Sequence, residues 1–77
     1  MMTIGERIRK TRKARKMTLE ELAASVGTSK QTIQRYETGI ISNIPSDKIE
    51  KISETLSVSP GYLMGWEEQK NEVRKTF

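Results

Sequence analysis

The segment from Thr18 to Gly39, TLEELAASVGTSKQTIQRYETG, constrains this chain more than any other, because it spells two short capped helices joined by a tight turn. Thr18-Leu19-Glu20-Glu21 has the Ser/Thr-x-x-Glu form of a capping box, in which a hydroxyl and a carboxylate each satisfy an N–H that a helix start leaves free. Leu22, Ala23 and Val26 then fall on one side of a 3.6-residue period. Gly27 can take the left-handed backbone conformation that ends a helix, and Thr28 or Ser29 can accept from the first free N–H groups of the next. A helix from about Thr18, a turn at Gly27 and a second helix from about Ser29 to Thr38 make a helix-turn-helix.

Chemistry divides the second of these helices. Ile33, Tyr36 and the inner side of Glu37 point one way, and Lys30, Gln31, Gln34 and Arg35 point the other. Gln can pair bidentately with adenine, and Arg or Lys with guanine N7 and O6, so the outer face carries the side chains that reading a major groove needs. Any solvated helix has a polar outer face. Behind a capped helix and a glycine turn, this one reads as base-contacting.

Seventy-seven residues make one domain with a small core. The chain has no cysteine and no histidine, which excludes disulfides, zinc fingers and His-based acid–base chemistry. No Gly-rich phosphate loop or metal-ligand cluster is present, and the adjacent acids Glu20-Glu21 and Glu67-Glu68 read as caps and solvation, so neither enzyme, cofactor nor metal is expected. No apolar run is long enough for a signal peptide or a membrane span, and the expected location is cytoplasmic. The net charge of +4 is unevenly placed: Arg7, Arg9, Lys10, Arg12, Lys13, Arg15 and Lys16 lie within ten residues. Ile4, Ile8, Thr11 and Arg15 share one side of this basic segment at helical spacing, a strip too narrow for membrane anchoring. Its outer face suits solvent and DNA phosphates equally.

Beyond Gly39, residues Ile40 to Pro45 have no period and read as a loop. Ser46 is the expected N-cap of a fourth helix carrying Ile49, Ile52 and Leu56, with Asp47 in its first turn. Ser59-Pro60 starts a fifth, in which Tyr62, Leu63 and Met64 close the core before Gly65 stops the helix. The fold class is therefore all-α, a compact five-helix bundle. Residues 1–66 form the domain and residues 67–77 a tail or the start of a linker.

The succession of T-x-E-E-L-A, V-G-T-S, I-x-R-Y-E-x-G, I-x-x-x-L-x-V-S and Y-L-M-G-W from Met2 to Trp66 resembles the lambda-repressor-like (Xre-type, Cro and phage-repressor) helix-turn-helix family. The resemblance implies a transcriptional regulator, a phage-type or bacterial repressor, whose third helix enters the major groove of double-stranded DNA. The resemblance also implies binding as a dimer on a two-fold operator. By position, Ser29, Lys30, Gln31, Gln34 and Arg35 match base-facing residues, and Thr18, Leu19, Thr28, Ile41, Ser42 and Asn43 match backbone-contacting ones. Arg12 and Glu37 match an ion pair joining helix one to helix three. Leu19 stands where many members carry Gln, and Lys16 where Gly often ends helix one. Thr11 and Ser53 replace a frequent Leu and Ala, which makes the expected core more polar. A weak homodimer is expected to meet through Tyr62, Met64 and Trp66 near helix five. The alternative on the same fold is a protein-interaction module, an antitoxin or co-activator, which exposed Tyr62, Met64 and Trp66 would favour.

Overall fold

Hydroxyl caps and left-handed turns set most of the helix ends in this chain. A computed structural model describes residues 2–66; the tail or linker expected over 67–77 lies outside the described residues. Five helices follow in order: α1 (Ile4–Ala14), α2 (Leu19–Val26), α3 (Lys30–Thr38), α4 (Ser46–Leu56) and α5 (Pro60–Leu63). Thr3 and Thr18 each build a full capping box, with Glu6 and Glu21 respectively. Ser29 accepts from the Thr32 N–H and Ser59 from the Tyr62 N–H, with Pro60 opening α5. Gly27 (φ 84°) and Gly39 (φ 88°) end α2 and α3 in the left-handed conformation.

Two helix ends depart from the sequence reading. Ser46 is not the N-cap of α4: Pro45 holds that place, its carbonyl accepting from the Lys48 and Ile49 N–H groups, and Ser46 is already helical. Proline's fixed φ, here −60°, brings the chain into the helix one residue early and leaves the start without a side-chain cap. Lys16 occupies the left-handed region (φ 59°) after α1, so the helix stops as a glycine would stop it, on a residue that carries a Cβ.

α1 packs on α3, α4 and α5, α2 packs on α3 and α4, and α4 packs on α5. Ile8, Leu22, Ile33, Ile52, Leu56 and Leu63 are fully buried at the centre, each such side chain contributing on the order of 1.5–3 kcal/mol by leaving water. Thr11 and Ser53 are buried too, and the Ser53 hydroxyl donates to the Glu50 carbonyl, so its burial is compensated. Tyr62, expected both to close the core and to stand at a dimer surface, belongs to the core at 8% exposure, because α5 is one turn long and must turn Tyr62 inward with Leu63 to cover α1 and α4. Arg15, expected on the inner strip of α1, is exposed and reaches back to donate to the Leu56 carbonyl at 2.9 Å. Arg12 takes the buried place beside Ile8 and Thr11.

Candidate nucleic-acid interface

α2 and α3 form the helix-turn-helix, and the cap chemistry at each end of the turn fixes their mutual angle. The Gly27 and Thr28 N–H groups both donate to the Ala23 carbonyl, closing α2, and Ser29 opens α3 immediately afterwards. The buried Ile33, Tyr36 and Glu37 anchor α3 to the core. Arg12 and Glu37 lock it to α1: Arg12 Nε and Nη2 donate to the two Glu37 carboxylate oxygens at 2.7 and 3.1 Å, and Nη1 donates to the Met17 carbonyl at 2.8 Å. The side chains of the pair are 10% and 5% exposed, so the charges are desolvated and each depends on the other.

Locked in this way, α3 presents Ser29, Lys30, Gln31, Gln34 and Arg35 to solvent. Ser29 is occupied by its cap and by a 2.9 Å contact with the Thr32 hydroxyl. Lys30 lies 3.9 Å from Glu20 of α2, a solvent-exposed pair that holds it loosely. Gln31, Gln34 and Arg35 stand along the same outward face and form no side-chain hydrogen bond within the described residues. Their donors and acceptors are available to a ligand.

The flanking positions divide. Thr18 spends its hydroxyl on its own capping box, and Leu19 and Ile41 pack their side chains against the core. The Ile41 N–H donates to the Arg35 carbonyl, so neither its side chain nor its N–H is available to a phosphate. What remains at α2 is the Leu19 and Glu20 N–H groups, since the Glu21 N–H is taken by the Thr18 hydroxyl; they have no acceptor earlier in a helix and stand at the positive end of its dipole. In the loop, Ser42 and Asn43 are exposed, and Thr28 in the turn is half-buried. At the far end of the molecule Met64 and Trp66 are exposed, at 44% and 77%, while Tyr62 is not. A shallow cleft of about 170 Å³ runs beside Met64, lined also by Ile44, Ile49 and Pro60.

Two supports of this site escape the sequence reading. Gly5 of α1 lies against α3 so closely that a Cβ there would overlap the Tyr36 carbonyl oxygen and stand 2.8 Å from the Glu37 carbonyl oxygen. Arg7 lies over the Tyr62 ring, 5.8 Å from its centroid, and within 3.5 Å of where a Gly65 Cβ would be, tying α1 to α5. Neither has a local signal, because both depend on which helix meets α1. The Thr3 capping box did have one, the same Thr-x-x-Glu spacing found at Thr18.

Comparison with known proteins agrees with this geometry. The Helix-turn-helix family model matches residues 8–63. The chain is 31% identical over 71 residues to the uncharacterized HTH-type transcriptional regulator y4wC, and 32% identical over 60 residues to the similarly described y4aM, both of Sinorhizobium fredii. It covers 48% and 41% of their lengths, so it spans less than half of these relatives, while 92% and 78% of this chain is matched. The fold matches the P22 c2 repressor protein, solved in complex with a synthetic operator, with a TM-score of 0.81 and 30% identity over 87% of this chain and all of that one. It also matches a chain of the SinR/SinI protein complex, with a TM-score of 0.77 and 32% identity over 92% of this chain and 66% of that one. The capped helix pair, the ion pair behind α3 and these matches agree: the chain belongs to the lambda-repressor-like helix-turn-helix family, whose members are DNA-binding transcription regulators rather than enzymes.

Proposed function

We propose that this chain binds double-stranded DNA sequence-specifically as a transcriptional repressor, with α3 in the major groove. The observation that carries the reading is the outer face of α3: four donor-rich side chains, exposed on a helix whose other side is buried and ion-paired. Gln31, Gln34 and Arg35 face base edges, with Lys30 able to reach a base or a phosphate. The first-turn N–H groups of α2, with Thr28, Ser42 and Asn43, meet the sugar-phosphate backbone, where helix N-termini favour anions. The operator complex of the P22 c2 repressor supports this arrangement by similarity. One recognition helix covers few base pairs, so two copies act on a two-fold site with half-sites about 10–10.5 base pairs apart, or a multiple of that. Met64 and Trp66 supply the contact between copies. Among the described residues no helix is long and apolar enough to cross a membrane, and the work proposed is done where the DNA is.

Selection from a random oligonucleotide pool tests the reading. A recovered two-fold motif at that spacing supports it, and a pool that shows no enrichment overturns it. The exposed Trp66 and Met64 favour a second reading, a protein-interaction module, which predicts no enrichment.

A further inference from the structure

α1 carries a ridge of cations that the helix-turn-helix does not use. Arg9, Lys10 and Lys13 stand on α1 and Lys16 two residues past its end, and all four are exposed. Ion pairs among the described residues join Arg12 to Glu37, Lys30 to Glu20 and Lys48 to Asp47, and none involves this ridge. Arg9 and Lys13 stand four residues apart on α1, a like-charge spacing that a bound anion would relieve.

The backbone at the end of the ridge is held in one place. Lys16 sits at φ 59°, where a side chain is disfavoured and glycine is not. Its geometry is fixed from both sides, by the Lys16 N–H donating to the Lys13 carbonyl and the Met17 N–H donating to the Arg12 carbonyl. Arg12 in turn holds the Met17 carbonyl and the Glu37 carboxylate. The strained lysine is therefore positioned by the same guanidinium that locks α3, three residues before α2 begins at Leu19. The Lys16 side chain is exposed, so this fixed turn holds a cation in solvent at the junction of α1 and α2.

We infer that Lys13 and Lys16 form a second phosphate-binding strip, which extends the DNA footprint from the start of α2 along the outer face of α1. The inference rests on the DNA-binding reading above. The anion is the backbone of the same duplex, because Lys16 stands beside the N-terminal end of α2 that the reading places on a phosphate. Contacts of this kind add affinity without adding sequence preference.

Ser57 supplies an internal control, because it has the same left-handed backbone (φ 60°) at the end of α4 and carries no charge. Lys16→Gly and Ser57→Gly both relieve strain, so neither lowers the thermal midpoint. Lys16→Gly weakens operator binding and reduces the slope of log affinity against log salt by about 0.9, the value of one released phosphate contact, while Ser57→Gly changes neither. Lys13→Gln lowers the slope by a similar amount, and the Lys13→Gln/Lys16→Gly variant by about twice as much. Base preferences selected from a random pool stay as in the parent protein. If both lysine variants keep the parent slope while the parent binds its operator, the strip is solvated and the inference fails alone. If the parent protein binds no DNA, the underlying reading fails with it.

Discussion

The two faces of α3 solve opposite problems on the same nine residues. On the inner face Ile33 is fully buried, Tyr36 is 5% exposed, and Glu37 is 7% exposed and bound through both oxygens to Arg12. On the outer face Gln31, Gln34 and Arg35 are exposed and make no side-chain hydrogen bond among the described residues. The inner face supplies all the fixation, so the outer face can keep its donors free for a partner. The two faces should then be separable: substitutions inside cost stability, and substitutions outside cost recognition. Each prediction below is a way to break that separation.

The largest effect is expected at the ion pair. Arg12→Ala or Glu37→Ala strands a desolvated charge, which costs about 3–5 kcal/mol, whereas replacing both by apolar residues of similar volume is close to neutral. Thermal or denaturant unfolding of the two single alanine variants and the double variant measures the coupling. Losses that simply add would show that the inner face is not held by this pair.

Gly5→Ala comes next. The new methyl would run into the carbonyl oxygens of Tyr36 and Glu37, backbone atoms that move only if α1 or α3 moves. Overpacking of this kind costs about 1–3 kcal/mol. Because the displaced helix carries the outer face, operator affinity should fall even when the variant is folded at the assay temperature. A variant with full stability and full affinity would mean that α1 and α3 are not packed as closely as the structure has them.

How much of this was legible in the sequence follows from the range of each interaction. Thr18, Gly27, Ser29, Gly39 and Ser59-Pro60 act within four residues of themselves, and their caps and stops stand where the spacing put them. The Arg12–Glu37 contact spans 25 residues and was expected from the family resemblance, since no local pattern carries it. Gly5 and Arg7 carry no signal in their own neighbourhood: a glycine in a first helical turn looks like a weak residue until another helix is seen against it. Ser46 and Met64 depart from the sequence reading for a related reason: Met64, expected to close the core with Tyr62 and Leu63, is 44% exposed. At Ser46 the preceding proline's geometry outweighs a good capping residue, and a one-turn helix has too few residues for its period to tell that Tyr62 and Leu63 face inward while Met64, its C-cap, does not.

On the outer face the expected effects change in kind. Gln31→Ala and Arg35→Ala should leave the unfolding midpoint unchanged, since neither side chain touches the core, and should each remove about 1–3 kcal/mol of discrimination at the base pair they face. Lys30→Ala should lower affinity more evenly across sequences, because a point charge held 3.9 Å from Glu20 has no fixed bidentate geometry. Repeating the oligonucleotide selection with each variant checks this. If Gln31→Ala and Arg35→Ala both return the parent motif unchanged, α3 does not read bases through this face.

The smallest effect on the isolated protein is expected at Trp66, which is 77% exposed and follows the Gly65 turn beyond α5. Trp66→Ala should shift unfolding by no more than about 0.5 kcal/mol, the range usual for a surface site. The Trp66 N–H, which donates to the Gly61 carbonyl at 2.8 Å, belongs to the backbone and survives the substitution. On DNA the same side chain should matter more. The exposed apolar surface at this end amounts to Met64, Trp66 and the cleft beside Ile44, Ile49 and Pro60, too little for a stable free dimer by the usual standard of about 1,200–2,000 Å² of total buried area. Two copies held on adjacent half-sites meet at a high effective concentration, so a contact too weak to form in solution can still contribute cooperativity. Sedimentation should therefore find a monomer without operator and two copies with it. Trp66→Ala should leave binding to a single half-site intact while reducing cooperativity on the full site. A tight dimer in free solution that Trp66→Ala does not affect would place the contact elsewhere, and would make this end of the molecule a surface for some other partner.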